Sequence, residues 1–501
     1  MIYGIGFNAI SEQRGNQQWT IGATARRWGG NPTSRYNWQT NAWNTALDYF
    51  WRNVAVLDGA TPAWKQFLDA NRGHQVASAL TIPTIGWVAK DTSSYSFPVS
   101  GSGPQQQTDP DVPDAGNGRD RNGKEVTPPD PQRTSVRSTP ATVAAWLTTA
   151  AADRARPPAV HLVYLDNEPD LWNDTHRDVH PEPAGYDEVL ARTIDYGTAI
   201  RAATPKVAIA GPASWGWWGY FYSAKDAEAG FAAKPDRRAH GDVPFLQWYL
   251  RKLRAHQKLS GIKVLDQFDV HFYPQGTGVY GGDGGGVDDN TAALRIRSTR
   301  ALWDPTYTDE SWIGEPVRLL PRLRELIATE YPGLGISIGE YNFGGERHIS
   351  GAIAQAEALG RFGQAGVTSA FLWTYPAERT PQYWGFRAFR NFDGAGGRFL
   401  DQSIRSRSGK DVTAFASTNA GTSQVVAVLN NLSSSRAAAT TVTLMSCAAM
   451  SRGPARVQQW SYAGGSEGFV GSPAAAVTRG TVAVTLAPWS VNVLRFDPGA
   501  P

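Results

Sequence analysis

Leu162-Val163-Tyr164-Leu165-Asp166-Asn167-Glu168-Pro169-Asp170 opens as an apolar run of strand length and breaks off in Asn-Glu-Pro. A continuous apolar run suits a strand buried on both faces, as parallel-sheet strands are. Pro169 has no N–H to give a ladder, so the strand is expected to stop there. A carboxylate is thereby placed at the carboxyl end of a parallel strand, where barrels and doubly wound folds carry their chemistry. A second stretch, Gly335-Ile336-Ser337-Ile338-Gly339-Glu340-Tyr341-Asn342, also ends an apolar strand on a glutamate. The chain reads as built to bring Glu168 and Glu340 face to face.

Working outward, eight apolar segments end in polar, aromatic or Pro/Gly punctuation. They are 2–8, 23–31, 77–83 (continuing to Trp87 and Lys90), 162–169, 207–212, 268–274, 336–342 and 370–376. Helical patterns fall between them. One opens at Thr139-Pro140, with Thr139 as N-cap and Pro140 in the first turn. Others cover 186–203, 243–259, 317–331 and 351–366. Strand and helix alternating eight times predicts an α/β fold, the TIM (β/α)8 barrel. Residues 93–137 and 280–290, rich in Gly, Asp and Pro, read as long loops walling the carboxyl face. Beyond about Arg390 the texture changes to short β-branched runs at 412–416, 424–430, 439–445, 457–462 and 482–496, with turns such as 419–421 and 463–465 between them. These predict an appended C-terminal antiparallel β-sandwich, giving a catalytic barrel over 1–390 and a sandwich domain over 391–501.

Composition narrows the function. The 501 residues carry 48 basic and 45 acidic side chains, a net charge of +3, and no Lys/Arg-rich run, which argues against a nucleic-acid partner. No apolar run is long enough to cross a membrane as a helix, so no membrane partner is expected. The single cysteine, Cys447, allows no disulfide within the chain and no Cys-based zinc site. A secreted enzyme is expected, one whose leader is already gone ahead of Ile2-Tyr3-Gly4. The 19 Trp, 18 Tyr and 19 Phe build a large core, and part of the set suits a cleft that stacks sugar rings.

Two carboxylates flanking a glycosidic bond are the minimum equipment for hydrolysing it. In a barrel the fourth and seventh strands face each other across the mouth, where two carboxyl groups can approach to about 5–5.5 Å, the retaining separation. Glu168 then protonates the leaving oxygen and Glu340 attacks. Asn167 can reach a sugar 2-hydroxyl. Tyr273 can donate to Glu340. His271, two residues earlier on the same strand face, is either a substrate contact or a satisfied core histidine. Trp28, Tyr36, Trp38, Trp87, Trp215, Trp217, Trp218 and Trp373 all fall at or just after strand ends, with Trp373 placed as a floor beneath the reacting sugar. Asp109, Asp111, Asp114 and Asn117 offer oxygen donors, but their spacing misses the EF-hand pattern. A solvated polar loop is the reading there, and a structural calcium the alternative. The glycine-rich run 281–286 follows no strand-to-helix junction and reads as flexible.

Arg27-Trp28-Gly29-Gly30-Asn31 with Tyr36-Asn37-Trp38 resembles the second-strand motif of glycoside hydrolase family 44. Asp166 to Trp172 resembles that family's acid/base segment, and Gly339-Glu340-Tyr341-Asn342 its nucleophile segment. Gly86-Trp87-Val88-Ala89-Lys90 and Asp114-Ala115-Gly116-Asn117-Gly118 are similar as well. The resemblance runs nearly the whole chain. It implies a barrel with a sandwich and retaining endo-hydrolysis of β-1,4-glucans, including xyloglucan and soluble cellulose derivatives. It implies Glu168 as acid/base and Glu340 as nucleophile, a substrate set that takes in Asn31 and Lys90, no required cofactor and room for structural calcium. Members usually begin with a sandwich strand, so an edge strand is expected to be missing here. The β-glucan polysaccharide is the expected partner of a monomer. A xylanase or mannanase with the same mechanism is the alternative, and a non-catalytic polysaccharide-binding barrel the alternative from another class.

Overall fold

The computed structural model describes residues 1–7, 18–57, 59–152, 160–281, 285–419, 424–445 and 455–498. Eight strands form a closed parallel barrel: β1 (Gly4–Gly6), β2 (Ala25–Trp28), β3 (Ala77–Ile82), β4 (Leu162–Leu165), β5 (Ala208–Ser214), β6 (Gln267–Phe272), β7 (Gly335–Tyr341) and β8 (Ser369–Leu372). Each pairs with its sequence neighbours, and β8 closes on β1. Outside lie α1 (Ala63–Gly73), α2 (Pro140–Ala152), α3 (Tyr186–Ala203), α4 (Phe245–Ser260), α5 (Asp289–Ser298), α6 (Leu319–Glu330), α7 (Ile349–Ala365) and α8 (Pro381–Arg387). Thr139 caps α2 by accepting from the Thr142 N–H at 3.3 Å.

Every expected barrel strand is present, several are shorter than the apolar runs that predicted them, and two of the differences shape the mouth. The fourth strand ends at Leu165, and Glu168 lies on the turn beyond it, ahead of a 3-10 turn at Pro169–Leu171. The third strand does not continue to Lys90; Trp87–Ala89 instead leaves the barrel and pairs antiparallel with Ser135–Arg137. The 93–137 segment is folded back on itself by bridges such as Pro98–Ala115 and Thr108–Gly116. Asn8, Cys447, the turn residues Ala420 and Gly421, and Gly282–Gly284 of the glycine run lie outside the described residues.

Strand parity decides what the barrel encloses. Ala25, Ala79, Leu162, Tyr164, Ala210 and Phe371 fill its lower interior. Alternate residues, Val163, Phe268, Val270 and Ile338 among them, pack outward under the helices.

The chain ends in an antiparallel sandwich. Its strands are β9 (Gln402–Ile404), β10 (Val412–Thr418), β11 (Val425–Asn431), β12 (Ala438–Thr443), β13 (Ala455–Tyr462), β14 (Val470–Gly471), β15 (Ala475–Val477), β16 (Thr481–Leu486) and β17 (Ser490–Asp497). The larger sheet runs β9-β10-β11-β17-β13-β14, with β15 on β13, and faces the β12-β16 pair. Val425, Ala427, Leu429, Leu494 and Phe496 fill the space between them, with Val484 and Leu486 from β16. The opposite face of the larger sheet, with Phe415, Val426, Val428, Val491 and Val493, joins the same apolar core as the barrel helices. It packs on α7, where a Cβ at Gly360 would sit 2.4 Å from the Phe415 ring. That contact explains why α7 reads apolar on all sides: barrel strands cover one face and the sandwich the other. The two tryptophans of the sandwich, Trp460 and Trp489, are packed. Trp460 is 7% exposed against Phe392, and Trp489 donates to the Leu432 carbonyl at 3.1 Å. Both serve the joint between the sandwich and the barrel rather than a sugar surface.

Candidate active site

The barrel mouth is organised by an irregularity between β6 and β7. Val270 pairs with Ile338, but His271 pairs with Glu340, so Gly339 is an extra residue. Ser337 faces the barrel interior, where its hydroxyl bonds Tyr164 at 2.9 Å. Strict alternation would then turn Glu340 outward. The bulge at Gly339 turns it inward instead, beside His271. Glycine is required because Asp269 fills the space, its Oδ2 only 2.7 Å from where a Cβ would stand.

Glu168 arrives from the other side on a tightly held turn. Asp166 and Glu168 have φ of 70° and 43°, conformations that L side chains rarely adopt. The buried Asp166 carboxylate holds the turn, accepting from Thr84 Oγ1 at 3.0 Å, the Ile85 N–H at 2.8 Å and the Asn167 N–H at 2.9 Å. The Glu168 N–H donates to the Ala213 carbonyl at 3.1 Å.

Three side chains converge there: one ligating atom each of Glu168, His271 and Glu340 lie within 4.8 Å of one another. His271 Nδ1 is 2.8 Å from Glu168 Oε1 and 3.6 Å from Glu340 Oε2. Arg27 donates to Glu340 Oε1 at 2.6 Å and Tyr273 to Oε2 at 2.9 Å. Burial alone would raise the Glu340 carboxyl, but His271 and Arg27, with hydrogen bonds from Arg27 and Tyr273, outweigh it and hold it below the usual range. Burial likewise disfavours the His271 imidazolium, and the Glu340 and Glu168 carboxylates reverse that and raise it. With Arg27 already supplying the positive charge, the trio is a compensated carboxylate pair rather than a cation site.

The expected site residues divide. His271, Tyr273 and Asn167 stand at the centre. Asn167 Oδ1 accepts from Arg27 at 3.2 Å, and its amide donates to Asn31 Oδ1 at 3.1 Å. Asn31 in turn donates to Asp48 at 3.1 Å. Trp373 is half-buried across the mouth, its ring filling the places where Cβ atoms on Gly6 and Gly30 would stand. The Trp215 N–H donates to Asp170 at 2.8 Å, and its ring packs on Trp218. Burial pushes the Asp170 carboxyl up to about 6.

Trp28 is a correction. It is fully buried between Phe7, Tyr36 and Phe67, because on β2 it has the parity of Arg26 and faces α1, not the barrel. Trp38 is a partly buried residue packed on the same core. Lys90 Nζ donates to the Gln132 carbonyl at 3.3 Å, an exposed contact on the side hairpin. Asp109 is paired with Arg52 and accepts from the Asp111 N–H at 2.8 Å, while Asp114 accepts from Tyr95 and Ser100. Their oxygens are thus taken by protein donors, and they form no converging acidic group with Asp111 among the described residues.

Sequence reading passed over Arg27, although its motif was in view. The signal was an Arg-Arg pair inside an apolar strand: parity sends one of them into the barrel, and a buried guanidinium needs an acid.

The comparisons agree with this architecture. The model of glycoside hydrolase family 44 matches residues 42–276. Endoglucanase A of Paenibacillus lautus is 30% identical over 412 residues, 76% of this chain and 54% of the relative's length. The chain thus spans about half of that relative, and 31% of the Beta-mannanase/endoglucanase A of Caldicellulosiruptor saccharolyticus, to which it is 27% identical. Among solved structures, CelM2, a bifunctional glucanase-xylanase protein from a metagenome library, superposes with a TM-score of 0.90 at 33% identity, over 99% of this chain and 96% of that one. Cel44A, the family 44 endoglucanase from Clostridium thermocellum, gives 0.81 at 25% identity over the same shares. Among the described residues no helix is long and apolar enough to cross a membrane. The chain belongs to glycoside hydrolase family 44.

Proposed function

We propose that the chain is a retaining endo-β-1,4-glucanase acting outside the cell, as a monomer, on xyloglucan and soluble cellulose. The observation that carries this reading is the spacing of Glu168 and Glu340, whose oxygens come within 4.8 Å. That spacing matches the retaining class, at about 5–5.5 Å, and leaves no room for the water that inverting enzymes hold between carboxyls about 6.5–9.5 Å apart. Glu340, kept ionised by Arg27, Tyr273 and His271, attacks the anomeric carbon. Glu168 gives its proton to the departing oxygen. Once the glycosyl-enzyme has formed, Glu168 takes a proton from water, and the resulting hydroxide displaces Glu340. A structural calcium elsewhere in the chain is compatible with this chemistry and takes no part in it.

A second substrate, xylan, is favoured by the likeness to CelM2, named for both glucanase and xylanase activities. A panel of soluble polysaccharides with reducing-sugar and viscosity readouts decides between them. Fast viscosity loss with little reducing sugar is the endo signature. Glu340→Ala is expected to abolish turnover, and azide to restore product with inverted configuration in Glu340→Gly. Full activity in either Glu168→Gln or Glu340→Gln would overturn the assignment.

A further inference from the structure

Beneath the reacting pair lies a carboxyl group that the two-glutamate chemistry does not use. Asp269 projects from β6 into the barrel, fully buried. Neither of its oxygens has a hydrogen-bond partner, and neither has His271 Nε2, which is also buried. The two face each other, with Nε2 4.0 Å from Asp269 Oδ2. At 4.0 Å they stand about 1 Å beyond hydrogen-bond reach, and closing that gap satisfies a buried carboxyl and a buried ring nitrogen that are each expensive alone. The Ser337 hydroxyl and the Gly339 N–H stand alongside Asp269 as weaker donors. The bulge glycine before the nucleophile keeps this carboxyl in place.

We infer that Asp269 is a positioning residue that shares one proton with His271 Nε2, so that Nδ1 always carries its own proton toward Glu168 and Glu340. The inference rests on the two-glutamate reading of the site and deepens it. Whether the shared proton sits on Asp269 or on Nε2, the ring presents an Nδ1–H donor to both carboxyls. That donor has two uses. It supports the ionised Glu340 from 3.6 Å. It also occupies Glu168 Oε1 from 2.8 Å, which leaves the acid's proton on Oε2, free to face the leaving oxygen. The opposite tautomer would aim a lone pair at Glu340 and draw the proton out of Glu168.

The surroundings suit a shared proton. His271 is faced by Glu168, Glu340, Arg27 and Asp269. Asp269 is faced by His271 and Arg27 and by the Tyr164, Tyr220 and Tyr249 phenols. Burial pushes the Asp269 carboxyl up, against the pull of His271.

The test uses the full chain. In Asp269→Asn no proton can pass to Nε2, so Glu340 loses the cationic share of its support. The expected result is a kcat loss of about 10- to 100-fold, the rate equivalent of one charge-assisted hydrogen bond, with KM nearly unchanged. The acidic limb of kcat/KM moves to higher pH. In a His271→Gln background the same change adds less than twofold, because the residue it acts through is gone. A purely structural Asp269 would leave the pH profile still and add its full loss in both backgrounds. Ring 15N NMR on wild-type protein labelled at histidine gives a readout independent of activity and of the variant's folding: His271 Nδ1 is expected to be protonated across the active pH range. A neutral ring protonated on Nε2, or an Asp269→Asn enzyme with the wild-type pH profile, overturns the inference. Glu340→Ala separates the two levels. If it retains full turnover, the two-glutamate reading has failed; if it is dead while Asp269→Asn behaves as wild type, only this inference has.

Discussion

Two glutamates are buried in this molecule to nearly the same depth, and they do different things. Glu340 is 4% exposed at the barrel mouth, and Glu357 is 2% exposed on α7 under the sandwich. Glu357 is enclosed by its donors: Asn430 at 2.6 Å, Thr413, and Arg361 at 3.4 Å. All come from its own helix or from the sheet lying on it. Glu340 has a guanidinium on one oxygen and a phenol on the other, with a histidine and a second carboxylate beside it. The first arrangement uses a charge to join two surfaces. The second holds a charge ready to react. Burial of an acid therefore says nothing of its role; the arrangement of its donors does.

The largest effect is expected where the joined surfaces are pulled apart. A chain ending after Leu400 exposes the outer face of α7, including Glu357 and the Phe415 seat at Gly360. It is expected to be recovered insoluble or unfolded, as an apolar face of that extent left in water would be. A soluble truncated barrel with full turnover would show that the sandwich carries no stability for the site.

At the mouth, Arg27→Met removes one member of a fully buried ion pair and leaves Glu340 uncompensated, at a cost of about 3–5 kcal/mol. Denaturant unfolding should read that loss, and turnover should fall steeply. Glu340→Gln leaves the Arg27 guanidinium without its anion instead, but the Gly339 carbonyl, Asn167 Oδ1 and the new amide oxygen still accept from it. The variant is expected to abolish turnover while costing less stability than Arg27→Met, because the remaining charge keeps its hydrogen bonds. Equal stability losses in the two variants would remove the contrast drawn above.

These two sites were not equally legible in the sequence. The barrel strands were, because each apolar run ends in a proline, glycine or polar residue that cannot continue it. Glu168 and Glu340 stood at two of those ends. Trp28 was misjudged because closeness to a strand end says nothing about which way a side chain faces, and one step of parity separates it from Arg27. The bulge at Gly339 was hidden, since register belongs to a pair of strands and not to either one. Asp269 was hidden for the same reason: its importance comes from lying beneath His271 and beside the bulge. The apolar, alanine-rich α7 was visible as a helix, but its second covering layer was not.

The interface glutamate gives the next smaller effect. Glu357→Gln keeps the shape and weakens the charge-assisted bonds from Asn430, Thr413 and Arg361. A loss of about 1–3 kcal/mol in unfolding free energy is expected, with kcat and KM unchanged. A change in kcat would mean that the sandwich joint reaches the mouth, and the division between the two glutamates would fail.

The smallest effect probes how the mouth holds its charge. Glu340 sits below its usual range, so its contribution to stability is fully present above its unfolded pKa, about 4.3, and is lost as pH falls through the folded value. His271 is raised, so its contribution is fully present below about 6.5 and is lost as pH rises through its folded value. Both are complete only between about pH 5 and 6.5, where the mouth should be most stable. Tyr273→Phe deletes one of the two direct hydrogen bonds to Glu340 and leaves its ring in place. The Glu340 carboxyl then moves back up, and the acidic limb of kcat/KM should rise by about one pH unit, the equivalent of about 1.4 kcal/mol. Stability at acid pH should decline from a correspondingly higher pH, while Glu357→Gln leaves the acidic limb of kcat/KM where it was. An acidic limb that stays fixed in Tyr273→Phe would mean that Arg27 and His271 alone set the charge, and that the phenol serves the substrate instead.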